Sequence, residues 1–386
     1  MLQSLAVANY RSLRELVIPL GPLNLITGAN GSGKSNLYRA LRLLAETAQG
    51  GVVAALAREG GLPSTLWAGP EQFSRGMRSG QQPVQGGPRQ QSVAMKLGFA
   101  AEPFGYCIDL GLPTPSASAF TLDPEIKTET IFAGASARPA SALVERRGAL
   151  AKVRQGRSWE VIASHLNLYE SVLTQISDPE RAPEVQTVRD QIRRWRFYDH
   201  FRCDAHSPAR QPQIGTRTPV LGHDGQDLAA AWQTIAEIGN IRALEDAVED
   251  AFPGCRVSIG HEGCWFSLHF HQPGLLRPLS AAELSDGTLR YLLWIAALHT
   301  PRPPPLMVLN EPETSLHPDL LPALARLIAS AATRSQLWVV SHASRLIAAL
   351  REERSCQELA LEKTLSETEL TGQGLLDGPP WVWPKR

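Results

Sequence analysis

Apolar positions change period several times along the chain, and each change marks a predicted element. Residues 2–8 and 16–20 alternate as half-buried strands do, and residues 23–27 form a short apolar run that reads as a buried strand. Leu37, Ala40, Leu41, Leu44 and Ala45 then recur at helical spacing, which predicts a helix from Asn36 to about Ala48, ended by Gly50-Gly51. Residues 60–70 and 79–91, rich in Gly, Pro, Gln and Ser, read as exposed loops. Residues 93–99 and 106–110 alternate like an antiparallel hairpin, with Pro103 and Gly105 near its turn, and suggest a second β layer.

From residue 143 to 195 the spacing turns helical, as in Val161, Ile162, His165, Leu166, Tyr169, Val172, Leu173 and Ile176, then Val185, Val188, Ile192 and Trp195. This segment reads as an α-helical insertion. Residues 195–201 resume an extended pattern, 227–238 and 241–252 are helical, and 255–259 and 264–271 are strands. Residues 306–309 and 336–340 are apolar runs of the kind found in buried parallel strands. The division expected from these patterns is an N-terminal lobe over 1–142, a helical arm over 143–195 and a C-terminal lobe over 196–386.

The turn after the strand at 23–27 carries the first candidate chemistry. Gly28, Gly33, Lys34 and Ser35 fill the spacing G-x-x-x-x-G-K-[ST], with Ala29, Asn30, Gly31 and Ser32 between them and Asn36 next. Glycines free the backbone to turn its N–H groups toward phosphate oxygens, and the helix that follows points its positive end at the anion. In this reading Lys34 reaches the β- and γ-phosphates as a point charge and the Ser35 hydroxyl takes a place on Mg²⁺. A chance match would lack the preceding strand and the following amphipathic helix, and both are present in the sequence.

Composition narrows the class. Lys+Arg and Asp+Glu balance at 38 each over 386 residues, so no global basic field advertises nucleic acid, and the length suits one large domain with insertions, or two. The first residues do not resemble a secretory signal, and no apolar run is long enough to span a bilayer. Five scattered cysteines suit reduced thiols in a cytoplasmic protein. Cys255, His261 and Cys264 lack a second pair at ligand spacing for zinc, and His269 and His271 read as ordinary strand residues. Arg146, Arg147, Arg154, Arg157, Arg181, Arg189, Arg193, Arg194 and Arg196 read first as a solvated face of the insertion, with DNA phosphates as the alternative.

Three later segments bring polar residues to predicted strand or helix ends. Ser285, Asp286 and Gly287 open a helix, where Ser285 makes an ordinary N-cap. Asn310-Glu311-Pro312-Glu313 follows a buried strand, with Leu316-His317-Pro318 just beyond. Ser341-His342 ends another. The carboxyl ends of strands are where ligands bind in open α/β sheets.

This order of motifs resembles the ABC-type ATPases of the SMC, RecF and OLD group, and more narrowly the RecF/OLD-like AAA-family ATPases. The likeness covers about residues 1–48 and 282–350. It implies an α/β fold, a P-loop NTPase of ABC-ATPase type with an antiparallel β layer and an α-helical insertion. It implies ATP and Mg²⁺ as ligands, Ser285 and Gly287 as the signature that meets the nucleotide of an opposite protomer, Glu311 as the general base and His342 as the switch histidine. Residues 313–318 would cross the dimer interface, and Arg11 would approach the nucleotide.

The sequence departs from that family at two points. Asn310 stands where an acidic residue is usual, which weakens metal binding and predicts slow turnover. No glutamine marks the loop that normally joins Mg²⁺ to the insertion, and Glu129 is the candidate for it. The implied partners are a second copy of the chain in the presence of ATP, duplex DNA, and a separate effector or nuclease protein, with no membrane. The implied roles are DNA repair and maintenance or antiviral defence, against the alternative of a nucleotide-gated scaffold that regulates an effector without touching nucleic acid. The OLD-type proteins carry an added nuclease domain, and none is expected in the residues that follow His342 here.

Overall fold

In the computed structural model the described residues are 1–87, 90, 92–374 and 378–386. The loop expected over 79–91 therefore lies partly outside the described residues. The chain forms two compact units, one of residues 1–20, 28–194 and 359–386, the other of residues 21–27 and 195–358.

The first unit is built on an eight-stranded sheet in which neighbouring strands run antiparallel. Leu2–Tyr10 lies between Leu13–Pro19 and Met95–Ala101, and a meander continues through Phe104–Gly111, Glu125–Ala133, Ala142–Arg147, Leu150–Gln155 and Ser158–Ala163. This is the expected second β layer. The helix Lys34–Thr47 buries Leu37, Ala40, Leu41 and Leu44 on one face, the stripe its spacing predicts. Near the C-terminus a hairpin pairs Leu361 with Leu370 and turns at Leu365 and Ser366, both at positive φ. Trp381 packs edge-on against Phe132 and Trp383, so the terminal tryptophans form a packed clasp.

The segment 143–195, expected to be helical throughout, is corrected by the structure. It opens with the strands Ala142–Arg147, Leu150–Gln155 and Ser158–Ala163, and its helices are Val172–Gln175 and Pro183–Arg193. Two-residue turns at Gly148-Ala149 and Gly156-Arg157 join those strands, with each glycine at positive φ as such hairpins require. Ala142, Val144 and Arg146 alternate inward, a period of two hidden by the charge on Arg146. Residues 60–70 also depart from expectation. Leu62–Thr65 is a helical turn, Leu62 and Thr65 are buried, and the buried Trp67 indole donates to the Pro70 carbonyl at 3.0 Å.

Glu129 is a structural residue of this sheet. Its carboxylate is fully buried, meets the equally buried Arg146 guanidinium at 2.8 Å, and accepts from the Val172 N–H at 2.9 Å and from the Tyr106 and Ser171 hydroxyls. Arg146 is held by the carbonyls of Gly148 and Asn167, each at 2.7 Å. With every charge-bearing atom engaged inside the protein, the candidate for the metal-linking loop has no carboxylate oxygen to offer a ligand.

The second unit is an α/β layer. Its parallel sheet runs Arg196–Tyr198, Leu306–Asn310, Gln336–Val340 and then the strand that begins at Leu23. Helices Leu228–Ile238, Ile241–Ala251, Asp286–Leu298, Leu321–Ala332 and Ser344–Arg351 contribute with it to one apolar core that includes Leu25, Trp294, Leu309, Leu324 and Val339. A smaller antiparallel sheet of Gln213–Ile214, Arg256–Glu262, Trp265–His271 and Leu279–Ser280 completes the unit. Among the described residues no helix is long and apolar enough to cross a membrane.

Removing one member of a buried ion pair strands the other charge, so Arg146→Ala is expected to lower unfolding free energy by about 3 kcal/mol or more in urea titration. Arg154→Ala, which removes a guanidinium that donates to the carbonyls of Ala140 and Pro139 instead of pairing with a buried carboxylate, serves as the comparison and should cost much less.

Candidate functional site

The strand Leu23–Gly28 carries the chain straight into the glycine-rich turn. Gly28 has φ +140°, and a Cβ there would sit 2.4 Å from the Leu361 carbonyl oxygen. Gly33 has φ +110°, and its Cβ would lie 2.1 Å from Thr368 Oγ1. Both conformation and space therefore demand glycine. The helix that follows has no side-chain cap and no acidic residue in its first turn, which leaves its leading N–H groups to an anion.

Lys34 Nζ folds back onto the loop, donating to the carbonyls of Gly28 at 2.6 Å and Ala29 at 3.1 Å. Asn30, Gly31 and Ser35 are exposed, while Ser32 is buried with its hydroxyl unpartnered. Asn36 is occupied otherwise, since its amide donates to Ser12 Oγ at 2.7 Å. Arg11 is also occupied, with its guanidinium on Glu59 at 2.7 Å. These residues fit a triphosphate with Mg²⁺: unsatisfied backbone donors, one ammonium, a free Ser35 hydroxyl and an unpaired buried Ser32 hydroxyl face no competing carboxylate within the loop.

Sequence reasoning missed the group that braces this loop. Thr368 is buried, donates its hydroxyl to the Ser32 carbonyl at 2.9 Å, and lies 2.7 Å from Ser12 Oγ. Ser12 in turn receives Asn36. Thus the turn is tied to the N-terminal hairpin and to a strand more than 300 residues away in sequence, a contact that no local pattern signals.

In the second unit, Asn310 is level with Val340, and Val340 with Ile26, so three neighbouring parallel strands end along one edge. The Ser341 N–H donates to the Ile26 carbonyl at 3.2 Å, and the Glu311 N–H to the Val340 carbonyl at 2.8 Å. Glu311 sits at φ +50°, a conformation costing a non-glycine residue roughly 1 kcal/mol and concentrated at functional sites. Its carboxylate is half-exposed, 3.7 Å from the half-exposed His342 Nδ1. The structure thus brings together Glu311 and His342, at the strand ends where the sequence put them.

Ser285 is exposed and caps Asp286–Leu298, accepting from the Thr288 N–H at 3.1 Å. A Cβ on Gly287 would come within 2.9 Å of the Ser315 carbonyl oxygen, so glycine lets the helix start approach the loop that follows Glu311. Buried Arg210 fixes this turn, pairing with Asp286 at 2.6 Å and donating to the Leu284 carbonyl at 2.6 Å. Asp199 was also missed. It follows Tyr198, the register partner of Leu309, so an acidic residue stands at the strand end beside Asn310, and burial pushes its carboxyl up to about 6.

A strand, a glycine-rich turn and an uncapped helix, with a parallel sheet ending on Glu311 and His342, define a P-loop nucleotide-binding fold of the ABC-ATPase type. The SMC head bound to the C-winged helix domain of ScpA shares that fold, with a TM-score of 0.50 and 13% identity over 97% of this chain and 98% of the other. An SMC head of Pyrococcus furiosus with an extended coiled coil aligns over 96% and 95% of the two chains, with 12% identity and a TM-score of 0.49. The chain belongs to the family described as AAA domain, putative AbiEii toxin, Type IV TA system, whose model matches residues 23–348. It is thus an AAA-domain protein whose fold is like that of the SMC heads. An OLD nuclease of Thermus scotoductus is 48% identical over 44 residues, a stretch covering 11% of this chain and 8% of that protein.

Thr368→Val keeps the shape but removes the hydroxyl that holds Ser32, so nucleotide affinity in a fluorescent-ATP titration is expected to fall about fivefold, the equivalent of about 1 kcal/mol. Thr368→Ser retains the donor and should stay close to wild type.

Proposed function

We propose that the protein hydrolyses ATP at a site completed when two copies pair head to tail around two nucleotides. The observation that supports this most is the row of strand ends carrying Glu311 and His342 beside the strand that runs into Gly28. Backbone N–H groups of the loop and Lys34 hold the phosphates, and Glu311 orients the attacking water, with His342 beside it to contact the γ-phosphate. Ser35 and Asn310 are the residues that would hold Mg²⁺, with Ser35 supplying its hydroxyl and Asn310 its amide oxygen. Bound there, the ion neutralises charge on the phosphate oxygens.

Ser285 and Gly287 lie at an exposed helix start, which suits contact with a nucleotide held by another copy. Pairing would then depend on ATP and end with hydrolysis, a two-state switch biased by its ligand. The neutral amide at Asn310 gives the site one anionic group fewer than an acidic residue would, so turnover is expected to be slow. By likeness to the SMC and OLD proteins, we place the switch in DNA maintenance or in defence against foreign DNA, acting in the cytoplasm.

The second reading is a nucleotide-gated scaffold for an effector protein. Ile214 and Trp265 favour it: they are register partners on the small antiparallel sheet, and each is about half-exposed, at 50%. A salt-sensitive, ATP-dependent shift of duplex DNA would support the first role, and ATP-released co-purification of one effector the second.

Lys34→Ala is expected to abolish ATP binding, while Glu311→Gln keeps binding and loses turnover by about 100-fold or more in a phosphate-release assay. Unchanged rates in both variants would refute the hydrolytic assignment.

A further inference from the structure

Glu313, two residues beyond Glu311, is turned inward and only 7% exposed, although it begins the loop expected to cross a dimer interface. Its Oε1 accepts from the Ser341 hydroxyl at 2.7 Å, the His342 N–H at 3.0 Å and the Ala343 N–H at 3.1 Å. Ser341 Oγ also accepts from the Ala343 N–H at 3.2 Å. The same carboxylate oxygen lies 3.6 Å from His342 Nδ1, and the Glu311 carboxylate lies 3.7 Å from that nitrogen. The imidazole thus has one buried and one half-exposed carboxylate beside it.

The backbone on either side of Glu313 is held as well. Trp294 Nε1 donates to the Pro312 carbonyl at 3.0 Å, and Arg290 to the Thr314 carbonyl at 2.9 Å. Glu313 Oε2 is buried with no hydrogen-bond partner. A half-satisfied buried carboxylate is costly, whereas a loop this short could be closed by a neutral side chain. What the carboxylate adds is reach and charge: one oxygen gathers three consecutive residues of the histidine loop onto the segment that carries Glu311.

We propose that Glu313 is a positioning residue which locks the loop of His342 to the loop of Glu311, so that base and imidazole keep their spacing. This rests on the hydrolytic reading above. Glu313 touches neither water nor phosphate in that account and acts through the two residues it holds. Loss of the clamp should therefore slow turnover while leaving nucleotide capture by the glycine-rich turn intact.

The test compares steady-state ATP turnover of the full chain as wild type, Glu313→Ala, Glu313→Gln, Ser341→Ala and Glu311→Gln, alongside fluorescent-ATP binding and thermal melting. Glu313→Ala is expected to lower kcat about tenfold or more with KM within about twofold of wild type. Glu313→Gln, whose amide oxygen still accepts the three donors, should recover at least about a third of the wild-type kcat. An unchanged kcat in Glu313→Ala, or a glutamine variant as slow as the alanine one, would overturn the proposal. If Glu313→Ala does not fold, Ser341→Ala decides: a several-fold fall in kcat at constant KM supports the clamp, and an unchanged kcat refutes it. Glu311→Gln separates the two claims, because wild-type turnover in that variant removes the hydrolytic reading whatever Glu313 does.

Discussion

A phosphate site needs backbone N–H donors that the fold has left without partners, and keeping them so is the constraint on which this structure depends. The helix Lys34–Thr47 begins without a cap or an acid, and the turn before it is open only because Gly28 and Gly33 carry no Cβ. Thr368, Ser12 and Asn36 then hold that turn by hydrogen bonds that do not consume the helix's leading donors. Lys34 lies against the carbonyls of Gly28 and Ala29, within the same turn. The shape of the loop is thus set by contacts within the protein, and an anion bound to a loop held in this way would cost less ordering.

The second unit solves a different problem, that of holding acidic and imidazole groups at the end of a buried sheet. Parallel strands of apolar residues bring Asn310, Val340 and Ile26 level, so the residues just beyond them emerge together. Glu311 takes a left-handed conformation to do so, and the hydrogen bond from its N–H to Val340 holds it there. Strain at one residue is tolerated because the surrounding strands and the carboxylate of Glu313 over-determine the local backbone.

What could be read from the sequence was whatever is encoded locally. The P-loop, its helix and the apolar strands before Glu311 and His342 each announce themselves within a dozen residues, and so does the alternation of the antiparallel layer. The strands from Ala142 to Ala163 were hidden because Arg146 occupies an inward position, where it meets Glu129 across the sheet, and because the turns at Gly148 and Gly156 are only two residues long. Thr368 and Glu313 were hidden for another reason. Their roles exist only in contacts with Ser32 and with residues 341–343, so Thr368 carried no signal and Glu313 read only as part of the segment expected to cross a dimer interface.

The central claim, that one copy grips phosphate and another seals it, is tested most directly by the mass of the Glu311→Gln protein in solution with and without ATP and Mg²⁺. The account predicts a monomer that doubles in mass when ATP is added, and a monomer under both conditions once Ser285→Arg is introduced. A mass unaffected by ATP, in protein that a binding assay shows to be nucleotide-loaded, would contradict it.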